Sequence, residues 1–499
     1  MKEGKHNMKF GPTRGSILLI FEHFVKDFGL LLLLLLITIW KGPQIVIANI
    51  QFVALVFINP ISVLVKYLFT NYGIDDEKMI IKSGLFVKKT MEIPLKAITT
   101  VDLSQNLLFQ IFSVYKIKAD NSSQTNDLAK QAEVVLALKK EDAFYVKSLM
   151  ESKGDINEQE ATKKQNDDVL QPVISCTASD FILLGILQSK LLYIITTFSA
   201  VFAGGTYIFS LLFEEVDTSA LIEKIMNVFS PAMGIAILIV VVYILGAVSS
   251  AIITVFRYYN YTVKNRKDAL IVEFGLFTKK SYTLKKEKIS GVTIKQSILM
   301  RIFGYCSVEV FIIGYGDSSE GNNKELSILY PISKLNQVNY ILDEILPDMN
   351  FERNYNKSEK RSLRYFFFCF RMFVAIGTIA AVIIEGILIN ANVYQVEILG
   401  ASFALLILTI ISVYLEYSNS GIYANSMVVS ICSGILAKKM TFIKTEKIES
   451  LSQTTNTWKQ RKGFMNIKLG FLAPLRVANI KAKNITYKQF EAVNQVLIL

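Results

Sequence analysis

Cysteine and histidine are both scarce in this sequence of 499 residues. The four cysteines are Cys176, Cys306, Cys369 and Cys432. No two are close enough in sequence to form a CxxC pair, so neither a disulfide framework nor a zinc site is indicated. The two histidines, His6 and His23, precede the first long apolar run. Histidine-based catalysis or metal binding is therefore excluded for most of the chain.

Signatures of catalysis are also missing. The sequence has no Gly-rich phosphate loop, no nucleophile elbow and no pair of carboxylates on one predicted face. We therefore predict no catalytic residue, no metal site, no cofactor and no enzymatic activity.

Apolar residues, in contrast, make up 52% of the chain. That excess requires either very large cores or a membrane, and six long apolar runs favour the membrane. The runs lie at 28–40, 45–69, 191–212, 233–255, 365–390 and 398–414. We predict six transmembrane helices in three hairpins, at 17–69, 183–256 and 365–416.

The basic residues predict the orientation of these spans. The net charge is +12, yet the loops 41–44, 214–230 and 391–397 contain only Lys41 and Lys224 among lysines and arginines. Positively charged segments stay in the cytoplasm, so we predict a multi-pass plasma-membrane protein with both termini cytoplasmic. Glu385 falls within a predicted span and is a functional candidate by default. It lies near the outer end, where we expect it to reach water.

A pattern of one glycine, three mostly apolar residues and two lysines occurs three times. The copies begin at Gly84, Gly275 and Gly434, and their lysine pairs are Lys88 and Lys89, Lys279 and Lys280, and Lys438 and Lys439. Fourteen residues after each glycine stands an isoleucine, and three positions further an aliphatic residue: Ile98 and Val101, Ile289 and Val292, Ile448 and Leu451. Three copies in register mark an internal repeat.

Each copy lies in a segment of predicted strands that ends in one amphipathic helix. In the first copy, 79–81 and 85–93 predict a hairpin, 133–138 another strand and 141–150 the helix. We predict three separate domains at 72–152, 261–346 and 422–499. Polar linkers are predicted at 153–180 and 348–364.

This arrangement resembles that of the bacterial pleckstrin-homology-like (bPH) membrane proteins, and its three copies are similar to their long YdbT-like members. The residues that carry the resemblance are Gly84, Ile98, Val101, Gln105, Phe112, Gly275, Ile289, Val292, Gln296, Phe303, Gly304, Gly434 and Ile448. The resemblance implies an α+β membrane protein whose small twisted β-barrels are each closed by a C-terminal helix. It implies no known catalytic activity. The third copy diverges, with Thr455 in place of the glutamine and Lys462 in place of the phenylalanine.

Two interpretations of the lysine pairs are open. They could bind lipid phosphates or the carboxylates of a partner. Alternatively, they solvate the start of an exposed strand and keep its edge from aggregating, since exposed charges contribute little on their own.

The segment after the repeated glutamine also differs between copies. Its apolar residues predict one face of a short helix, which we expect to pack against another repeat or the membrane helices. These residues are Leu107, Leu108, Ile111 and Phe112, and Ile298, Leu299, Ile302 and Phe303. In the third copy we predict a free surface that binds a partner or lipid headgroups, formed by Trp458, Lys459, Arg461 and Lys462. A loop in that place, with the core closed by other residues, is the alternative.

We therefore expect a non-enzymatic integral membrane protein that presents three cytoplasmic PH-like domains as a scaffold, in envelope maintenance or defence. Its expected partners are membrane lipids with anionic headgroups, and a protein partner or a second copy; nucleic acid is not expected. The alternative is a regulatory or pore-forming component of a transporter, although the predicted spans lack the polar pathway that a transporter needs.

Overall fold

A computed structural model describes much of the chain. The described residues are 9–22, 62–75, 77–85, 87–121, 134–151, 172–188, 231–313, 328–349, 351, 355–367, 374, 376–380, 395–472 and 477–498. The chain divides into two compact units. The first comprises residues 1–175, 260–285 and 314–319, and the second comprises 176–259, 286–313 and 320–499. The second repeat is thus divided between the two units.

The first unit has two antiparallel sheets in its described part. Its strands are β1 (Phe10–Thr13), β2 (Thr70–Ile74), β3 (Lys78–Ser83), β4 (Lys89–Pro94), β5 (Ile98–Gln105), β6 (Val114–Asn121), β7 (Val134–Lys139), β8 (Pro172–Ser175), β9 (Thr262–Asn265), β10 (Ala269–Phe274) and β11 (Lys279–Lys285). Its helices are α1 (Leu107–Ile111) and α2 (Lys140–Glu151). The strand orders are β1-β2-β3-β4 and β7-β6-β5-β11-β10-β9-β8.

The second unit follows the same plan. Its strands are β12 (Ile289–Gln296), β13 (Tyr305–Ile312), β14 (Ile328–Lys334), β15 (Asn356–Lys357), β16 (Gly421–Ala424), β17 (Val428–Ser433), β18 (Lys438–Lys444), β19 (Ile448–Thr454), β20 (Phe464–Leu472) and β21 (Val477–Thr486). Its helices are α3 (Ala178–Leu187), α4 (Pro231–Tyr258), α5 (Ile298–Ile302), α6 (Leu335–Ile345), α7 (Leu363–Phe367), α8 (Gln395–Ser418), α9 (Thr457–Gln460) and α10 (Tyr487–Ile498). The strand orders are β14-β13-β12-β18-β17-β16-β15 and β19-β20-β21.

The predicted transmembrane helices are not supported. Spanning the hydrocarbon core takes a helix of about 20 mostly apolar residues. Among the described residues, none of the helices combines the necessary length and apolar character. The prediction of six transmembrane helices in three hairpins is therefore wrong. The predicted spans at 28–40 and 191–212, and Glu385, lie outside the described residues.

Successive repeats share sheets, which the sequence did not predict. Strand β11 of the second repeat pairs with β5 of the first, with Lys279 opposite Gln105. Strand β18 of the third repeat pairs with β12 of the second, with Lys438 opposite Gln296. The register is the same in both: the fourth residue after the repeated glycine faces the repeated glutamine. The first three strands of a repeat therefore extend the sheet of the repeat before it.

The central strands of the second seven-stranded sheet are buried on both faces. Successive side chains of a strand point to opposite faces, yet Val292, Thr293 and Ile294 of β12 are all buried. Continuous burial of this kind requires layers on both sides of the sheet. The hydroxyls of Thr293 and Thr441 lie 3.0 Å apart across the β12–β18 pair, so each satisfies the other.

The first unit has its apolar core between its sheets and α2. Met79 and Ile93 of the first hairpin, Val101 of β5 and Val146 of α2 are buried in one cluster. The terminal helix thus lies where the apolar pattern of 141–150 predicts one, with its apolar side against the strands.

The second unit repeats this arrangement with the third copy. Ile431 and Ile443 of the shared sheet, Ile467 of β20 and Val493 of α10 belong to one buried cluster. Phe311 of β13 also packs against this cluster, so the second repeat contributes to the core of the third.

The repeated glycine has a backbone conformation that other residues rarely adopt. Gly84, Gly275 and Gly434 have φ values of 118°, 107° and 119°. A Cβ atom on Gly275 would lie 2.1 Å from the carbonyl oxygen of Thr278. The turn therefore requires glycine. In the first repeat the strand after this turn begins at the second lysine, whereas the sequence pattern predicted a start at residue 85. The start is later because the apolar residues belong to the turn.

We predict that Thr293→Val destabilises the protein by about 1–3 kcal/mol, because it leaves the buried Thr441 hydroxyl without its partner. The double variant Thr293→Val/Thr441→Val removes both hydroxyls and should be close to the wild type. Denaturant unfolding of the full chain measures both. Equal losses in the single and double variants would contradict this account of the shared sheet.

We also predict that Gly275→Ala is more harmful than Gly304→Ala. Both glycines have positive φ, but a Cβ atom on Gly304 meets no atom within 4 Å. Strain at Gly304→Ala should cost about 1–2 kcal/mol, and the added clash at Gly275→Ala should raise the loss to about 3 kcal/mol or more. Thermal unfolding compares the two, and similar losses would show that the turn does not depend on this contact.

Candidate functional site

A short helix follows the repeated glutamine in every copy. The helices α1, α5 and α9 begin in the same way, with a side-chain oxygen accepting a hydrogen bond from a backbone amide three residues later. The pairs are Asn106 with Phe109 at 2.9 Å, Ser297 with Met300 at 3.2 Å and Asn456 with Lys459 at 2.9 Å. Such N-caps stabilise the start of a helix. The third copy thus has a short helix here, and the alternative of a loop is wrong.

The glutamine before each helix holds the start of the next strand. Gln105 donates to the Val114 carbonyl and Gln296 donates to the Tyr305 carbonyl, both at 2.9 Å. In the third copy the Thr455 hydroxyl makes the equivalent bond to the Phe464 carbonyl at 3.0 Å. The substitution of threonine therefore keeps the local geometry.

The apolar face of α1 and α5 is exposed, although we expected it to be buried. Ile111 is 73% exposed and Ile302 is 70% exposed. The inward residues are instead Phe109 and Met300, which are 1% exposed. A helix of five residues has its orientation set by the strand that precedes it, and an apolar spacing alone does not reveal that orientation. Lys459 takes the inward position in the third copy and donates to Asn484 at 2.6 Å.

The helices α1 and α5 are each linked to the glycine turn of the next repeat, α1 directly and α5 through Asn419. Gln110 of α1 donates to the carbonyls of Leu276 and Phe277, at 3.2 and 3.1 Å. Arg301 of α5 donates to Asn419 at 3.1 Å, and Asn419 in turn donates to the Gly434 carbonyl at 3.0 Å. The turn and the helix therefore form one surface at each junction between repeats.

We call these surfaces the junction patches. The exposed apolar side chains of the first patch are Leu107, Ile111, Phe112 and Phe277, and those of the second are Ile298, Ile302, Phe303, Ile435 and Leu436. Lys279 and Lys280 start the strand beside the first patch, and Lys438 and Lys439 start the strand beside the second. Each patch thus combines exposed apolar side chains with a basic rim.

The lysines of the three pairs differ in their surroundings. Lys280 lies over the Phe274 ring at 5.9 Å, and Lys438 lies over the Tyr355 ring at 5.1 Å and donates to its hydroxyl at 2.8 Å. Lys279 and Lys439 are exposed. Lys88 and Lys89 are also exposed, at the start of β4.

The third copy has a basic surface instead of an apolar patch. Trp458 is 73% exposed, and Arg461 and Lys462 are exposed as well. An open cavity of about 610 Å³ lies beside them. Its lining residues are Glu359, Lys360, Arg361, Leu363, Arg364, Lys462 and Phe464. Four cations and one carboxylate make this basic cleft suited to an anion.

Sequence reasoning missed most of the basic cleft. It assigned 348–364 to a linker, whereas Lys360–Ser362 form a 3-10 turn and α7 begins at once after it. Tyr365 of α7 packs against Phe464, with the ring centroids 5.4 Å apart, and its hydroxyl reaches the Trp458 carbonyl at 3.5 Å. These contacts bring the linker cations to Lys462. A run of basic residues ahead of an aromatic pair was the available signal.

Cys176 and Cys432 are unsuited to covalent chemistry. Burial raises the pKa of the Cys176 thiol to about 12, and Asp180 adds to the increase. Burial also raises the pKa of Cys432, although Lys438 opposes the shift. Thiols with raised pKa values are poor nucleophiles at neutral pH. Within the described ranges, no group of three or more His, Cys, Asp or Glu residues could hold a metal ion.

Comparison with known proteins agrees with this architecture. The family model described as "Bacterial PH domain" matches residues 23–153, 193–345 and 374–497. The chain is also similar to the UPF0699 transmembrane protein YdbT of Bacillus subtilis (strain 168), with 26% identity over 316 residues, or 61% of this chain. The match spans 62% of the length of that relative. Since the three family matches cover most of the chain, the resemblance read from the sequence is confirmed: the chain belongs to the bacterial PH domain family and carries three copies of the domain.

Proposed function

We propose that this protein is a non-enzymatic scaffold at the cytoplasmic face of the plasma membrane, whose PH-like repeats bind anionic lipid headgroups. The observation that supports this most is the pairing of exposed apolar side chains with lysines at both junction patches. A relative named as a transmembrane protein supports an association with membranes. Envelope maintenance or defence is the cellular setting that we propose.

The apolar part of each patch is suited to the membrane interface. Phe303 and Leu436 are 63% and 61% exposed. Contiguous exposed apolar groups mark interaction surfaces in proteins, because leaving them in water is unfavourable. A helix with such side chains can lie in the headgroup region with its apolar side against the acyl chains.

The basic part of each patch supplies the selectivity for anionic lipid. A basic residue close to an anionic leaflet contributes about 1 kcal/mol, and the effect decays within a Debye length. The net charge of +12 favours the same partner. The basic cleft adds a place where one phosphate could contact several cations, and the exposed Trp458 beside it is a residue type enriched at membrane interfaces.

We predict that reversing the charges beside the first patch weakens its contact with anionic membranes. The test uses the full chain in vesicles, with a polarity-sensitive dye at Ile111→Cys and quenchers on the lipid chains. Lys279→Glu/Lys280→Glu should lower occupancy of the membrane-contacting state by about 30-fold, because two attractions of about 1 kcal/mol each are lost. Wild-type quenching should fall with salt and be weaker in neutral vesicles.

The matched control is Lys96→Glu/Lys267→Glu. Both lysines are exposed and belong to the same unit. Lys96 follows the end of β4 that is farther from its glycine turn, and Lys267 precedes the end of the β10–β11 hairpin that is farther from its glycine turn. This variant changes the net charge equally and should quench like the wild type. Equal effects of the two variants would show that the membrane contact depends on net charge and not on the position of the lysines. No quenching in any vesicle would favour a protein partner over lipid.

We also predict that Ile302→Ser/Phe303→Ser reduces contact of the second patch with lipid but preserves the fold. Both side chains are largely exposed, so their loss should change the free energy of unfolding by about 0.5 kcal/mol or less. Met300→Ser, on the buried side of the same helix, should unfold the region because Met300 is buried. Unfolding midpoints and lipid quenching of a dye at Leu436→Cys separate the two outcomes. Loss of stability in Ile302→Ser/Phe303→Ser would show that this face is part of a core.

A further inference from the structure

We propose that strand β19 of one copy of this protein pairs with strand β4 of a second copy, joining the repeats of two chains through the same kind of shared sheet that joins repeats within one chain. Within a chain, β5 pairs with β11 and β12 pairs with β18. By position in the repeat, β19 is equivalent to β5 and β12, and β4 is equivalent to β11 and β18.

The two strands are end strands of their sheets. The sheet orders β1-β2-β3-β4 and β19-β20-β21 leave one edge of each strand unpaired among the described residues. An edge with unpaired amide and carbonyl groups is a template for pairing with another chain. In the formed junctions, the edge equivalent to that of β19 pairs with the edge equivalent to that of β4. Each of the two strands therefore has the unpaired edge that the other would need.

Burial shows the same difference. Every residue of β12 except Lys295 is buried, whereas no residue of β19 is. In β18 four consecutive residues from Met440 to Ile443 are buried, whereas Ile93 is the only buried residue of β4. The equivalent strands β12 and β18 lie inside a shared sheet, whereas β19 and β4 lie at sheet edges among the described residues.

The register of the proposed pair follows from the two formed junctions. Leu103 lies opposite Ser281 in the first, and Ile294 lies opposite Met440 in the second. The equivalent residues are Gln453 and Thr90, and the same register places Thr454 opposite Lys89 and Leu451 opposite Glu92. The first junction has four register positions, from Lys279 to Tyr282. The equivalent four positions are 88–91, of which the last three belong to β4, and all four precede Pro94, which lacks an amide hydrogen.

Lysine at the start of β4 does not exclude such pairing. Lysines often protect exposed strand edges, but the equivalent Lys280 and Lys439 lie inside formed junctions, opposite Ser104 and Lys295. The charged and polar residues instead make this third junction weaker than the internal ones. Lys88, Lys89, Arg461 and Lys462 would come close together, so an anionic membrane that neutralises them should strengthen the pairing.

The helix contact also has its equivalent. Gln110 of α1 holds the Leu276 and Phe277 carbonyls of the next repeat. Gln460 occupies the same position in α9 and is exposed. In the proposed pair it would donate to the Leu85 carbonyl of the second copy. The contact is head-to-tail, since different surfaces of the two copies meet, so it can extend beyond a dimer.

The test uses two differently tagged full-length chains, co-reconstituted in anionic vesicles, with the four native cysteines changed to alanine. One chain carries Gln453→Cys and the other carries Thr90→Cys; both positions are exposed. Mild oxidation should give a disulfide-linked mixed dimer. Each variant alone should give none, because a head-to-tail contact does not bring identical positions together. Adding Gln460→Ala to the first chain should lower the yield by about five-fold, through the loss of one hydrogen bond of ordinary strength, whereas Thr457→Ala on the same helix should not.

The register control combines Gln453→Cys with Met91→Cys. A shift of one residue moves the second thiol to the other face of the strand, so the yield should fall strongly. Equal yields from Thr90→Cys and Met91→Cys would mean random collision and would overturn the proposal. The absence of a mixed dimer would overturn it too. So would a chain carrying both Gln453→Cys and Thr90→Cys that links only to itself, because the pairing would then close within one molecule.

Discussion

The hydrogen-bonded pairing between a repeated glycine hairpin and the glutamine strand of the preceding repeat is the interaction on which this architecture depends. It converts three copies of a small domain into continuous seven-stranded sheets, each with strands from two repeats. The central strands of the second of these sheets are buried on both faces, so buried hydroxyls such as those of Thr293 and Thr441 must satisfy one another. A sheet buried on both faces tolerates few unpaired polar groups.

The same pairing places the surfaces that are suited to binding. The hairpin turn lies next to the short helix of the preceding repeat, as Gln110 shows by its contact with the turn at Leu276. Apolar side chains that would be scattered in an isolated domain are thereby gathered into patches with a basic rim. In the third copy the equivalent helix carries Trp458 and cations instead of an apolar face.

Two strands, β4 and β19, lie at the edges of their sheets in the described part of the chain. Internal junctions bury their strands, whereas β4 and β19 keep exposed residues and more polar side chains. Polar edges reduce unwanted association, because a charged or proline-containing strand accepts few partners. The same residues would set the register of the proposed pair between copies.

The sequence by itself determined the repeat, the glycine turn and the closing helix, and it predicted the family correctly. Those features are local: a positive φ at Gly275, the apolar side of 141–150 and the spacing to Val101 are each visible within a short stretch. Tertiary structure alone decided which strands of different repeats pair, which side of α1 faces water, and how the linker cations reach Lys462. Periodicity shows that an element has two faces but not what covers each face, and the six apolar runs did not establish membrane-spanning helices for that reason. Neighbours that are distant in the chain supply this information, and only the folded molecule brings them together.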